Sequence, residues 1–341
     1  MICRTMWDRA RLCAPGGFAL CAFLAVSGWG TPALARPSYT SFDPQGSVDT
    51  QPYGLNASGA ATGTYEDGSG EWHGFVRAPD GTITPFDPPG AELTKPNQIN
   101  ADGTITGQFE DSESPSHGFV RTSDGSFATF DPDGSIFTAP VVINAGGVVA
   151  GYFFLEKKIN EGFVRAADGT ITTINLSNKN TAAVGINNAG SVVGQYADGN
   201  GVVHGFMRSA DGTVTTIDVP GAANTYANGI DESGDISGEW QDTSHQLHGF
   251  FQPAGGTIAT FDPPNSTQTD AFEINRSGSV ASFFRDESNT VHGYVRRADG
   301  SLTIFDPPHS KKTEVWGIND KGVTTGFFKA HGQMHGFLRT P

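Results

Sequence analysis

Along most of this chain, hydrophobic residues recur at every second position in short runs. In SVVGQY (191–196), Val192, Gly194 and Tyr196 fall on one face and their neighbours on the other. A period of two predicts β-strands with one buried face. The runs follow one another in a fixed order. A first strand ends at an aliphatic residue followed by Asn or Asp: Leu55-Asn56, Ile99-Asn100, Ile143-Asn144, Ile186-Asn187, Ile230-Asp231, Ile274-Asn275 and Ile318-Asn319. An N-x-x-G turn follows. The second strand alternates up to an aromatic: Tyr65, Phe109, Phe153, Tyr196, Trp240, Phe284 or Phe328. A third strand begins at His-Gly-aromatic and runs to the Arg of FVR. Pairs such as Asp80-Gly81 and Asp124-Gly125 then predict a two-residue hairpin with positive φ at its central residues. A fourth strand, as in TITPFD, stops at Asp-Pro-Pro, where proline ends ladder pairing.

These landmarks return every 43 or 44 residues through seven copies. Four antiparallel strands in a repeat of this length predict one blade of a β-propeller. One four-stranded sheet cannot bury both faces, but a ring of them buries each against the next. The chain stops just after the seventh third strand, while residues 38–43 (SYTSFD) match 82–87 (TITPFD). The N-terminal segment is therefore expected to supply the outer strand of blade 7. The expected fold is all-β: a single seven-bladed β-propeller over 36–341, four antiparallel strands per blade, its ring closed by the N-terminal strand. An open solenoid or a sandwich array has no use for such a permuted end. The glycine recurring in the second strand (Gly63, Gly107, Gly151, Gly194, Gly238 and Gly326, with Ser282 in the sixth copy) is expected to leave room for a neighbouring blade's aromatic.

Residues 1–35 read as a secretory signal peptide. Arg4, Arg9 and Arg11 precede the apolar run FALCAFLAV (18–26), and Ala33-Leu34-Ala35 is a small-x-small cleavage site. The run is too short to span a bilayer. Cys3, Cys13 and Cys21 all lie in this segment, so the exported chain is expected to have no disulfide, thiolate nucleophile or cysteine-based zinc site. Losing Arg4, Asp8, Arg9 and Arg11 moves the net charge from −15 to −17. An acidic chain repels phosphate backbones, which argues against nucleic acid as a partner. The expected protein is secreted or periplasmic, free of the membrane after cleavage, and monomeric.

HGFVR, GIN..G.VVG.Y and DGT.T..D resemble the HAF repeats of predicted extracellular bacterial proteins, named for a His-Ala/Gly-Phe core. The resemblance covers about residues 38–341. It implies an exported propeller-like protein and no particular activity. Glu161 in place of His, Asn175 in place of the FDP aspartate, and Ser282 in place of Gly depart from the pattern.

Repetition decides how the histidines are read. His73, His117, His204, His248, His292 and His335 recur at one place in each copy. A catalytic group serves one substrate in one environment, so these six are assigned to the scaffold. Each is expected to bond the Asp two residues after the second-strand aromatic (Asp67, Asp111, Asp198, Asp242, Asp286). The FDPP aspartates (Asp43, Asp87, Asp131, Asp218, Asp262, Asp306) precede a Thr by seven residues, and both are expected to cap backbone amides in turns.

Function is sought where the copies differ. Two residues before each first-strand terminal aliphatic stand Tyr53, Asn97, Val141, Val184, Asn228, Phe272 and Trp316. Innermost strands line a propeller's channel, so Tyr53, Asn97, Asn228, Phe272 and Trp316 are candidate ligand-binding residues at its rim, with Trp72 on a nearby loop. Tyr53, Phe272 and Trp316 fall on neighbouring blades if the ring closes, forming an aromatic platform for a sugar ring or peptide. Acidic loops (Glu66, Asp67, Glu71; Glu110, Asp111, Glu113) suit weak Ca²⁺ binding, but no EF-hand spacing is present and no cofactor or metal is expected. No G-x-S-x-G, H-E-x-x-H or P-loop occurs. The leading reading is a non-catalytic binding or scaffold propeller with a glycan, peptide or protein ligand. The alternative is a hydrolase or lyase acting on a glycan or lactone at the channel mouth. The alternative gains if unlike polar side chains converge there with a perturbed carboxylate or His among them.

Overall fold

The computed structural model describes residues 37–112, 116–155, 159–176 and 180–341. The signal-like segment with its cysteines, and the loop residue Glu113, lie outside them. Among the described residues there are 29 strands and no helix, so none is long and apolar enough to cross a membrane. Residues 37–341 form one compact unit.

Four of the sheets contain four antiparallel strands each. One runs in chain order through Phe137–Ile143, Val149–Leu155, Ile159–Arg165 and Ile171–Ile174. An eight-stranded sheet is two such units joined by a single parallel bridge between Trp72 and Leu93. A five-stranded sheet is the same unit with its first strand broken into Ser266–Thr269 and Glu273–Ile274. In the last sheet Ser38–Phe42 pairs with Gln333–Thr340. Its register, Phe42 opposite Gly336, repeats that of Phe86 opposite Gly74 and Phe130 opposite Gly118. First strands end at the expected aliphatic residues, from Leu55 to Ile318.

Two local expectations are corrected. The hairpins after the third strand have three-residue loops. Gly81 N–H donates to Ala78 O at 2.9 Å and Ala78 N–H to Thr82 O at 2.8 Å. Only Gly81 has positive φ, at 96°; Asp80 instead accepts Thr82 N–H on its carboxylate at 2.9 Å. A type I turn followed by one left-handed glycine does what the two-residue loop was expected to do. The second-strand glycine, in turn, makes room within its own sheet. A Cβ on Gly107 would lie 2.3 Å from Lys95 O, and on Gly194 1.9 Å from Ala182 O. The first strand bulges there, between Pro96 and Gln98 and between Ala183 and Gly185, pushing its carbonyl onto the second strand. Ser282 carries the Cβ that the other copies exclude, and its unit is the one whose first strand is interrupted.

Two interactions join one unit to the next. Arg at the end of a third strand lies over the last aromatic of the preceding fourth strand. Arg77 covers Phe42, Arg121 Phe86, Arg165 Phe130, Arg296 Phe261 and Arg339 Phe305, at 4.5–5.0 Å. The second is a buried amide relay. Asn56 Oδ1 accepts from its own turn, at Ser58 N and Ala60 N, while Nδ2 donates to Asn100 O at 3.0 Å. Asn100 donates likewise to Asn144 O, Asn144 to Asn187 O, Asn187 to Asp231 O, Asn275 to Asn319 O and Asn319 to Asn56 O. The missing link is Asp231 to Asn275. Asp231 Oδ1 still holds its own turn, but the buried Oδ2 has no partner. Burial, reinforced by the charge of Asp235, raises the Asp231 pKa despite its turn hydrogen bonds.

Asp231→Asn restores the donor and removes a buried unsatisfied oxygen, an effect of about 1–3 kcal/mol. A carboxyl with a raised folded-state pKa supports folding below its unfolded pKa, and that support is lost as pH rises through the folded value. The gain from Asp231→Asn is therefore expected to be larger at pH 8 than at pH 5 in chemical denaturation. No gain at pH 8 would refute the missing link.

Candidate functional site

The histidines stand at the start of the third strands and are partly exposed. Their principal partner is not the loop Asp but the FDPP aspartate fourteen residues on in the same unit. Nδ1–H donates to Asp87, Asp131, Asp218, Asp262 and Asp306 at 2.5–2.9 Å, and from His335 to Asp43 at 2.8 Å. The loop aspartates stand at 3.4–3.8 Å from Nε2. Each ring also rests on its second-strand aromatic, most closely His248 on Trp240, with centroids 4.6 Å apart. For His73, His117 and His292, burial pushes the pKa down, but the hydrogen bond and charge of the two aspartates outweigh it and the net shift is upward. Thr138, Thr269 and Thr313 donate to Asp131, Asp262 and Asp306 at 2.6 Å, so in these three copies the Asp–Thr pair bonds directly, whereas Thr225 accepts the Val219 N–H at 3.1 Å, the amide cap expected.

Unit three shows what this contact requires. Glu161 replaces His and Asn175 replaces Asp, and Asn175 Nδ2 donates to Glu161 Oε1 at 2.7 Å. Two departures that look independent in the sequence are one exchanged pair, with donor and acceptor swapped. No distinct chemistry gathers around these residues. Asp67, Glu71 and His73 each offer a ligand atom within 4.8 Å of one another. But Asp67 Oδ1 already accepts from Ser69 and from Glu71 N, and His73 is bonded to Asp87. Trp72 lines a separate recess with Glu71 and Asp87, apart from the other rim candidates.

Those candidates converge. A cavity of about 590 Å³ is lined by Tyr53, Asn97, Val141, Val184, Asn228, Phe272 and Trp316, one residue from the equivalent place in each repeat. Phe272 and Trp316 stack 5.1 Å apart at an interplanar angle of 7°. Tyr53 meets Trp316 edge-on at 5.7 Å, and Phe283 supports both stacked rings from behind at 5.8 and 5.5 Å. All three platform residues are half-buried. Asn97 and Asn228, also in the lining, are tied to the backbone as well. Their amides donate to Pro140 O at 2.7 Å and Ala271 O at 3.2 Å, stapling adjacent first strands.

The same wall holds polar groups that the periodicity did not single out. Gln98 Nε2 donates to Glu273 Oε1 at 3.1 Å across repeats distant in sequence. Both side chains also line a narrower cavity of about 220 Å³ beside the asparagine relay, so this bond sits where the two cavities meet. Burial pushes Glu273 up to about 7 against the opposing Gln98 hydrogen bond. Burial and the nearby charge of Asp270 push Glu239 up to about 8, although the Ala271 N–H opposes them. Asp270 itself is pushed up to about 6 by burial. Lys95 is lowered by burial, and its Nζ lies 5.6 Å over the Tyr53 ring. Tyr53 is raised by burial and by Glu314. At neutral pH Glu239 is therefore mostly protonated and Glu273 partly so.

No family model matches the chain, and no curated protein matches its sequence. Solved structures do resemble it. The β-propeller domain of the Trilobed protease from Pyrococcus furiosus has a TM-score of 0.60 at 10% identity, covering 86% of this chain and 95% of that one. Puromycin hydrolase has a TM-score of 0.59 at 12% identity, covering 84% of this chain and 51% of the enzyme. The acylaminoacyl peptidase of Pyrococcus horikoshii has a TM-score of 0.57 at 12% identity, covering 84% and 52%. This chain thus spans about half the length of those two enzymes. At these identities the likeness shows the fold alone: the chain is an all-β protein with the architecture of a β-propeller.

The exchanged pair of unit three yields a double-mutant test. Asn175→Asp alone sets a second carboxylate against Glu161 and is expected to lower stability by roughly 0.5–1 kcal/mol. Adding Glu161→His is expected to recover that loss in thermal melts. Additive effects of the two substitutions would show that the pair is not coupled.

Proposed function

We propose that this chain is a seven-bladed β-propeller of the HAF-repeat kind, exported to the periplasm or beyond after loss of residues 1–35. It binds a glycan at the mouth of its central cavity and catalyses no reaction on it. Ring closure is supported by the pairing of Ser38–Phe42 with Gln333–Thr340, by Arg77 over Phe42, and by the hydrogen bond from Asn319 to Asn56. It acts as a monomer without a cofactor. Any Ca²⁺ at the acidic loops is peripheral.

The observation that carries the binding reading is the Phe272–Trp316 stack with Tyr53 against its edge, half-buried in the wall of the cavity of about 590 Å³. Flat apolar faces beside polar groups suit the faces of a sugar ring. They also lie where the repeat relaxes its own pattern, as expected of a selected surface.

A second reading is favoured by Gln98 and Glu273. These are unlike polar side chains in hydrogen-bond contact within the cavity, and the carboxyl is shifted toward neutrality. A protonated carboxyl is a general acid, and Glu239 is a second one in the same wall. This fits a hydrolase or lyase acting on a glycan. Product release from a bound glycan, abolished by Glu273→Gln, would establish it. Binding without turnover favours the first reading.

Two outcomes test the leading proposal. Trp316→Ala is expected to weaken glycan binding at least tenfold, the scale of one lost aromatic contact, while the protein still unfolds in one cooperative transition, at a lower temperature because the ring also packs on Phe272, Phe283 and Tyr53. Unaltered affinity for a glycan found by screening the exported protein would overturn the platform. Deleting residues 36–43 removes the strand paired to the C-terminal one, and the buried Phe42. It is expected to abolish cooperative unfolding, whereas a truncated protein melting like the full one would overturn ring closure.

A further inference from the structure

We propose that this cavity takes an organic ammonium group, held against the aromatic faces of its wall and balanced by the carboxylates of Glu239 and Glu273. The inference rests on the reading of the cavity as a ligand site and names the chemistry of what enters it.

The wall is rich in rings. Tyr53, Phe137, Tyr152, Tyr226, Phe272 and Trp316 all line it, together with both glutamates. Aromatic faces carry the negative end of a quadrupole and attract ammonium groups, most strongly where water is excluded. The wall already uses this attraction once, since the Lys95 ammonium lies over Tyr53.

The carboxyls lack a counter-charge. Among the described residues no Lys or Arg forms an ion pair with Glu239 or Glu273. Glu239 Oε2 is buried without a hydrogen-bond partner. The titratable and charged groups facing Glu239 are Asp270, Tyr226 and Tyr294. Asp270 in turn faces Glu314 and Arg285, and Glu314 also acts on Tyr53. Glu273 faces uncharged Gln98. A buried carboxyl without a cation resists its charge, so near neutral pH Glu239 stays mostly protonated and Glu273 partly so. A cation delivered by a ligand stabilises the ionised form and releases the proton.

A metal ion fits less well. The described residues offer only one metal-like group of three side chains, at Asp67, Glu71 and His73, outside this cavity. Aromatic rings around two glutamates do not complete a hard-cation shell.

The test compares choline with 3,3-dimethylbutan-1-ol, in which carbon replaces the quaternary nitrogen and only the charge is lost. Both are titrated calorimetrically into the exported protein. Choline is expected to bind roughly tenfold or more tightly than the alcohol at pH 8, the scale of a desolvated ammonium on aromatic faces. Because Glu273 and Glu239 are pushed up to about 7 and about 8, choline affinity should rise from pH 6 to pH 9. Near pH 7, buffers of different ionisation enthalpy should report proton release. Replacing both residues (Glu239→Gln, Glu273→Gln) should abolish the pH dependence and bring choline down to the level of the alcohol. Equal affinity for the two probes overturns the ammonium proposal while leaving the cavity a binding site. Binding of neither probe also overturns it, and glycan binding sensitive to Trp316→Ala then decides the binding reading separately.

Discussion

One asparagine side chain at the end of six of the seven first strands does two jobs on which the architecture depends. Its oxygen accepts the backbone of its own turn, and its nitrogen donates to the carbonyl of the next unit's asparagine. An amide is the shortest side chain with an acceptor and a donor placed for both. The link is buried, so water does not compete for it, and leaving one end unpaired is costly. Each first strand is thereby set against its neighbours at a fixed spacing. Those first strands supply much of the cavity wall, so the relay also helps to hold the candidate site in place.

A scaffold built by repetition gives its information away at its exceptions. Unit six carries Ser282 where a bulged carbonyl needs glycine, and its first strand is broken between Thr269 and Glu273. The residues of that break and its edge are Asp270, Ala271, Phe272 and Glu273. They supply half of the aromatic stack, one of the high-pKa carboxyls of the cavity, and the carboxylate that presses on the other. Asp231, the one break in the amide relay, lies in the adjoining unit five, as does Glu239. Unit three departs as well, at Glu161 and Asn175, but the departures of units five and six are the ones that lie beside cavity-lining residues.

Much of this was legible because strand periodicity and turn residues are local signals that the repeat averages over several copies. The ends of the first strands, the pairing of the N-terminal strand with the C-terminal one, and the convergence of Tyr53, Phe272 and Trp316 all follow from it. What escaped was side-chain pairing across a sheet. His73 reaches Asp87 because the third and fourth strands pair Gly74 with Phe86, a register the linear spacing did not make evident. Glu161 and Asn175 then looked like two blemishes rather than one swap. Glu239 and Gln98 were missed for another reason. Their chemistry comes from burial in a cavity formed by distant repeats, and no local pattern marks it. Trp72 was the opposite error, since a loop aromatic near the rim in sequence lies apart from it in space.

The charge states of the cavity and of the frame pull in different directions with pH. Glu239, Glu273, Asp270 and Asp231 all have raised folded-state pKa values, as do His73, His117 and His292. Each supports folding below its unfolded pKa and loses that contribution as pH rises through its folded value. The loop aspartates such as Asp67, Asp198 and Asp286 are lowered by turn hydrogen bonds, and their contribution is lost only as pH falls through those depressed values. The frame is thus favoured in mild acid, between the two sets. The cavity glutamates become useful to a cationic ligand only at higher pH, where their ionisation weakens the empty protein. A ligand that binds the native state stabilises it by mass action, and here it would also neutralise the charge that weakens the fold. Occupancy and stability are coupled most strongly above neutrality, through two carboxyls that the scaffold alone leaves without a partner charge.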